Sequence, residues 1–201
     1  MEVVVTIHSV AEAHKYATNC DDLAIIGAFA STSASFALAI IVDAIGPTYR
    51  PIGTMMAVDT DCVTTGSLSS GCIEADVVRH AQLALQSGQP QHLRYGAGSP
   101  WLDLMLPCGG AVDIVVIPRP EVAAFAEVTY LLSQRQQATI TFPISDEHAF
   151  SLTLLPPIKS LIFGTGAEAT HAAHSARDAG MQCQIFSPDR GIVEACEQSE
   201  I

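Results

Sequence analysis

Runs of hydrophobic residues along the chain predict several short strands with a few helices between them. The longest run lies in FALAIIVDAI (36–45), whose first seven residues are all apolar, as is typical of a strand buried on both faces. Shorter runs predict further strands at 55–58, 63–68, 91–95, 102–106, 112–117, 138–144 and 149–155.

Helical spacing is clearest from Ile73 to Leu85, where apolar residues recur every three or four positions. Gly71 stands where an N-cap residue is expected, with Glu74 three positions later, and Gly88 is placed to end the helix. Less regular helical patterns lie at 7–18 and 121–136.

Two pairs of closely spaced prolines divide the chain into three segments, 1–120, 121–157 and 158–201. The first mixes strands and helices, and the second is a connector of one helix and two strands. The last follows the order strand, glycine turn, helix, strand, which is a single β-α-β unit. The sequence therefore predicts an α/β fold, with a mixed α/β domain followed by a truncated Rossmann-like unit.

The composition adds limits on function. Of 201 residues, 49% are hydrophobic and 15% charged, which supports a folded core. A formal net charge of −12 disfavours nucleic acid as a partner, because so acidic a surface repels a polyphosphate backbone. With so few basic residues, we expect an anionic ligand to be held by backbone N–H groups and helix N-termini.

The uncharged stretch Leu23–Val42 is long enough to span a bilayer, but its hydroxyl residues cluster in the middle, so we expect a helix–turn–strand and no membrane span. None of the six cysteines forms a CxxC pair, and MEVVVTIHSV lacks the pattern of a secretion signal. The sequence therefore predicts a cytoplasmic protein with reduced thiols.

Three glycine-containing motifs carry the candidate chemistry. In GSLSSGCIE (66–74), a Gly/Ser loop runs into a helix, where free N–H groups would bind an anion and lower the pKa of Cys72 in the first turn. The alternative is a glycine turn with a small buried cysteine. PCGG (107–110) would allow close backbone approach to a ligand beside Cys108, or is a tight turn. In GPTYRPIGTM (46–55), Arg50 is placed to bind phosphate or carboxylate, or to pair with an acidic neighbour at the surface.

These motifs, in the order GPTYRPIGTMM, GSLSSGCIEADV and LPCGG, resemble those of the XdhC/CoxI family of xanthine dehydrogenase accessory factors. The resemblance spans roughly residues 36–118 and continues in part to the last residue. It implies a chaperone that binds molybdenum cofactor and assists its sulfuration by a cysteine desulfurase. The same protein would then assist insertion of the cofactor into a xanthine dehydrogenase-type molybdenum hydroxylase.

The resemblance also assigns site residues and suggests no catalytic ones. The cofactor-binding residues that it implies are Arg50, Gly53, Gly66, Gly71, Cys72, Glu74, Cys108, Gly109 and Gly110. Cys72 and Cys108 would be soft sulfur ligands suited to a metal such as molybdenum. Glu74 would either cap the loop or carry a proton, and capping is the preferred interpretation. An accessory factor is favoured over an enzyme, and a homodimer is expected.

GTGAEA (164–169) resembles a dinucleotide fingerprint, in which Gly164 and Gly166 would approach a pyrophosphate and Asp189 a ribose. Glu168 beside that position disfavours an anion, so NAD(P) binding is not expected. Two alternatives stay open: an NAD(P)-binding oxidoreductase, and a degenerate, non-catalytic paralogue that binds only the partner protein.

Overall fold

The computed structural model describes residues 6–8, 14–17, 20–31, 35–97, 99, 106–143 and 149–191. The chain divides into two compact units, one of Met1–Tyr16 with Asp21–Leu155 and the other of Ala17–Cys20 with Pro156–Ile201. The mixed α/β class predicted from the sequence is confirmed, with helices and strands in the following order. They are β1 (Thr6–His8), β2 (His14–Ala17), α1 (Cys20–Ser31), β3 (Phe36–Ile45), β4 (Met55–Asp59), β5 (Thr64–Gly66), α2 (Glu74–Ser87), β6 (Gln91–Gly96), β7 (Ala111–Pro118), α3 (Val122–Ser133), β8 (Ala138–Pro143), β9 (Ala149–Leu155), β10 (Lys159–Phe163), α4 (Gly166–Asp178) and β11 (Gln182–Phe186).

The first unit is built around an antiparallel five-stranded sheet in the order β5-β4-β3-β7-β6. Its central strands are apolar at consecutive positions because both faces are covered, and every residue of β7 is buried. Side chains of β3 alternate between two cores: Ala37 and Ala39 pack on the α2 side, and Leu38 on the opposite side.

The opposite core is closed by α1, α3 and residues of β8 and β9. Phe125 of α3 stacks on Phe29 of α1, with ring centroids 4.7 Å apart. β8 and β9 belong to a second, four-stranded sheet in the order β1-β8-β9-β2. Two layers of apolar side chains therefore cover both faces of the five-stranded sheet. The loops lie at the ends of its strands.

The predicted helix over 7–18 is wrong. Thr6–His8 is a strand that pairs with β8, and His14–Ala17 is the edge strand beside β9. Backbone pairing with an existing sheet overrides a weak helical pattern of small residues. Residues 9–13 and 18, which the prediction also included, lie outside the described residues.

The stretch Leu23–Val42 contains the end of α1 and the start of β3, as expected for a helix followed by a strand. Among the described helices, none combines the length and the apolar character that crossing a membrane requires. Of the predicted strand at 102–106, residues 102–105 lie outside the described residues, and Leu106 is buried in the core on the α2 side.

The second unit is a β-α-β arrangement in which β10 and β11 pair in parallel and α4 connects them. Residues alternate along both strands between half-buried and exposed. The exposed rings of Phe163 and Phe186 stack on each other at a centroid distance of 4.8 Å.

Candidate functional site

The topology of the five-stranded sheet brings the three sequence motifs to the same end of the sheet. β3 ends at Ile45, which pairs with Ala111 at the start of β7, and Ala111 also pairs with Gly96 at the end of β6. On the other side of β3, the start of β4 pairs with the end of β5, through Met56 and Gly66. The loop after β3, the loop after β5 and the loop before β7 therefore lie at the same end of the sheet. These three loops contain the three motifs.

The first and third motifs are in direct backbone contact. A Cβ atom added to Gly110 would overlap the carbonyl oxygen of Pro47 and would lie 3.0 Å from that of Ile45. A Cβ atom added to Gly96 would likewise overlap the carbonyl oxygen of Gly110. Only glycine fits these two positions, so Gly110 of the third motif serves first to seat this turn against the first motif.

The loop of the first motif is fixed onto β3. Gly53 N donates to Ile41 O at 2.8 Å, and Ile41 N donates to Thr54 O at 3.0 Å, where the pairing of β3 with β7 shifts register. Gly53 has a φ of 94°, which the turn back to β4 requires. Arg50 is half-buried in this loop, next to the exposed ring of Tyr49.

In the second motif, the Glu74 carboxylate is enclosed by the loop that precedes it. Its Oε1 accepts hydrogen bonds from Ser67 Oγ at 2.8 Å, Ser69 N at 2.7 Å and Leu68 N at 3.1 Å. Its Oε2 accepts from Ser69 Oγ at 2.6 Å, Gly71 N at 2.8 Å and Ile73 N at 3.2 Å. Glu74 thus has the geometry of a cap for the entire loop, which is the role preferred from the sequence.

The expectation of free N–H groups in this loop is wrong. Every backbone N–H from residue 68 to residue 73 donates to a side chain of the loop, either to Glu74 or to the hydroxyls of Ser67 and Ser69. A carboxylate of the chain itself occupies the place that an external anion would take. An anionic ligand at this site must be held by other groups.

Two further expectations about the second motif are wrong in detail. α2 begins at Glu74 with Ile73 at the N-cap position, so Gly71 is not the cap and Cys72 precedes the first helical turn. Gly71 instead takes a φ of 108° and Ser70 a φ of 61°, a backbone path that brings the N–H groups around Glu74. The hydrogen bonds to Glu74 outweigh the cost of this path.

The same hydrogen bonds set the charge of Glu74. Burial raises the pKa of the Glu74 carboxyl, but hydrogen bonds from the side chain and backbone of Ser69 and from Ser67 outweigh it and lower the pKa to about 2. Glu74 is therefore ionised at neutral pH and already fully engaged. A carboxylate held in this way is poorly suited to exchanging protons with a ligand.

The two cysteines of the motifs differ in exposure. Cys72 is exposed, whereas Cys108 is half-buried against the core on the α2 side, the same core into which Leu68 and Ile73 of the second motif pack. Gly109 N donates to Leu106 O at 2.9 Å and closes the turn that presents Cys108. In the part of the chain that the structure describes, no group of three or more His, Cys, Asp or Glu residues is arranged to bind a metal ion.

Sequence reasoning missed a buried polar contact between α2 and β6. Tyr95 is fully buried, and its hydroxyl donates to Asp76 Oδ2 at 2.7 Å. His80, one turn along α2 from Asp76, is also buried, and its Nε2 lies 3.6 Å from the same oxygen. The sequence signal was the presence of Asp76 and His80, four apart, beside the apolar stripe of α2.

In the second unit, the glycine motif has part of the geometry of a dinucleotide site. Gly164 packs closely on Ala169, and Gly166 has a φ of 77°. However, a Cβ atom added to Gly166 would lie 3.0 Å from Glu168 Oε2, so a negative charge stands at the turn. Asp189 accepts a hydrogen bond from Gly191 N at 2.9 Å within its own turn. The first observation weighs against a bound pyrophosphate, and the second against a ribose held by Asp189.

Comparison with known proteins finds a similarity to one family. Residues 30–96, which include the first and second motifs, match the XdhC and CoxI family. The resemblance that the motifs indicated is thereby confirmed.

Two individual proteins are similar to this chain. The molybdenum cofactor insertion chaperone PaoD of Escherichia coli (strain K12) is 29% identical over 164 residues, which are 74% of this chain and 52% of PaoD. The chain thus spans about half the length of this curated relative. A crystal structure described as a xanthine dehydrogenase from Bacillus halodurans has the same fold, with a TM-score of 0.72 and 19% identity. That match covers 85% of this chain and 63% of the other.

Proposed function

We propose that this protein binds molybdenum cofactor and assists its sulfuration and its insertion into a xanthine dehydrogenase-type molybdenum hydroxylase. The observation that carries the proposal is the convergence of the three motif loops at one end of the five-stranded sheet. The similarity to PaoD, whose name describes insertion of this cofactor, supports the same role. In this proposal the protein is an accessory factor without catalytic residues of its own.

The chemistry of the loops suits such a ligand. Cys72 and Cys108 offer thiol groups at one sheet end, and sulfur is a soft ligand suited to molybdenum. A Cβ atom added to Gly109 or Gly71 would meet no atom within 4 Å, so both loops leave room for a ligand beside the backbone. When bound, the cofactor would supply the molybdenum centre that the partner enzyme uses, and the chain would hold and shield it.

The sequence suggested two partners for the phosphate of the cofactor, the N–H groups of the second motif and the side chain of Arg50. Because the N–H groups of residues 68–73 are all engaged within the loop, we assign the phosphate to Arg50 of the first motif. A guanidinium group can bind phosphate through two parallel hydrogen bonds. Gly53 and Gly66 then act by shaping the loops on either side.

A cysteine desulfurase and the apo-hydroxylase are the proposed protein partners, with a homodimer as the proposed assembly, in the cytoplasm. NAD(P) is not part of the proposal, because Glu168 stands beside the glycine turn of the second unit. Calorimetry with NAD and NADP tests the oxidoreductase alternative, which requires that one of these cofactors binds. A degenerate paralogue would bind the hydroxylase without retaining cofactor.

The double substitution Cys72→Ala and Cys108→Ala should lower the molybdenum and pterin content of freshly purified protein by about tenfold, since both sulfur ligands are lost. The matched control is Cys62→Ala, because Cys62 is also an exposed free cysteine but lies in the turn between β4 and β5, at the opposite end of the sheet. Metal analysis and pterin fluorescence measure both contents. Wild-type protein without either component, or equal retention in the double variant, would contradict the proposal.

A further inference from the structure

Tyr95 makes a directional contact between the two halves of the candidate site. It lies on β6, is fully buried in the core on the α2 side, and donates its hydroxyl to Asp76 Oδ2 at 2.7 Å. Asp76 belongs to the first turn of α2, two residues after Glu74. Through Glu74, that turn is bonded to the loop that contains Cys72.

In this hydrogen bond the proton is carried by the phenol of Tyr95, and Asp76 is ionised. Burial raises the pKa of Tyr95, so the phenol stays protonated. Burial also raises the pKa of Asp76, but hydrogen bonds from Arg79 and from Tyr95 outweigh it, and the pKa lies below its usual value. Arg79 Nη2 donates to the other oxygen of Asp76 at 2.8 Å. The contact is therefore a neutral donor on a carboxylate, which is stronger than a hydrogen bond between neutral groups.

On its strand side, Tyr95 is directly joined to the third motif. The next residue, Gly96, pairs with Ala111 and its Cα abuts the carbonyl of Gly110. The turn containing Cys108 leads directly into Gly110. A displacement of Tyr95 along the strand would thus be passed to Gly110, whose close fit against Pro47 allows little adjustment.

Apolar packing alone leaves the relative position of the two loops open. Ile73, Leu68 and Cys108 pack into one core, but burial of apolar surface has no preferred direction. A helix can slide on such a surface, and a slide of one residue moves it about 1.5 Å. A hydrogen bond loses most of its strength over a smaller displacement, so it fixes the helix along its axis.

We propose that Tyr95 is a positioning residue, whose hydrogen bond to Asp76 sets the Cys72 loop against the Cys108 turn and thereby the affinity of the site for molybdenum cofactor. This inference rests on the proposed function of the site. Tyr95 touches no ligand in this proposal and acts through Asp76.

The test is a titration of wild-type, Tyr95→Phe, Asp76→Ala and doubly substituted protein with molybdenum cofactor released from a purified molybdenum hydroxylase. We expect each single change to weaken binding about tenfold, the effect of one lost hydrogen bond to a charged group. The double variant should be no weaker than Asp76→Ala, because both changes remove the same contact. The control is Tyr130→Phe, which removes a hydroxyl from an exposed ring on α3 and should leave affinity unchanged. Unchanged affinity in Tyr95→Phe, or losses that add in the double variant, overturn the inference.

Amide hydrogen exchange on the apo-protein separates this inference from the proposed function. In Tyr95→Phe we expect several-fold faster exchange at the N–H groups of residues 68–73 and of Gly109, with no change in β8. If wild-type protein binds no cofactor, the proposed function fails, and the exchange pattern alone decides whether Tyr95 positions the two loops. Unchanged exchange at both loops, or equally faster exchange in β8, overturns the positioning role.

Discussion

Substituting Gly110 by alanine is expected to destabilise the first unit by about 3 kcal/mol, the upper part of the range for overpacking a rigid site. The added methyl group would overlap the Pro47 carbonyl oxygen, which is backbone and cannot rotate away. The strain would fall where the first and third motifs meet, so the loss of stability should be accompanied by a loss of cofactor retention. Urea unfolding followed by circular dichroism measures the free energy of unfolding.

The neighbouring glycine is the control for this substitution. Gly109 has a φ of 76°, but a Cβ atom there would meet nothing within 4 Å. Gly109→Ala should therefore cost only the conformational strain of a left-handed alanine, about 1–2 kcal/mol. If the two variants unfold at the same urea concentration, the close contact between the motifs does not hold the site together.

Substituting Glu74 by glutamine is expected to destabilise the protein by about 2–3 kcal/mol at pH 7, because a charged acceptor of six hydrogen bonds becomes a neutral amide. The NH₂ group of the amide is itself a donor and would face the N–H donors of the loop, where it has no acceptor. The exposed Glu127 of α3 offers a matched control, since Glu127→Gln removes the same charge at the surface.

The effect of Glu74 should depend on pH in a defined direction. Its folded-state pKa of about 2 lies below the ordinary value of 4.5, so its stabilisation is fully present above pH 4.5. That stabilisation is lost as the pH falls through about 2. The difference in free energy of unfolding between wild type and Glu74→Gln should therefore shrink from pH 5 towards pH 2. A difference that stays constant over this interval would contradict an ionised, loop-bound Glu74.

The sequence predicted the elements whose pattern is dominated by burial. β3 is apolar at consecutive positions because both of its faces are covered, and α2 has one apolar stripe because one face is covered. β9 spans the predicted residues 149–155. The residues of the three motifs were also identified from the sequence, because glycines in a fixed order carry a family resemblance.

Long-range partners could not be predicted in the same way. The pattern of residues 7–18 gives no sign that Thr6–His8 pairs with a strand more than a hundred residues later. The spacing of Glu74 indicated a cap but not that its carboxylate would accept from four backbone amides and two hydroxyls of the loop. The bond from Tyr95 to Asp76 depends on where a strand and a helix cross, which is a property of the fold and not of either local sequence.

The hairpin turn between β4 and β5 has a practical consequence for experiments. Asp59 Oδ1 accepts hydrogen bonds from Asp61 N at 2.9 Å and Val63 N at 2.8 Å, which give the turn a fixed shape. Cys62 is exposed at the tip of this turn, at the opposite end of the sheet from the motifs. A fluorophore attached there in a variant without Cys72 could report rotational diffusion, and so assembly with a large enzyme, without obstructing the loops at the other end.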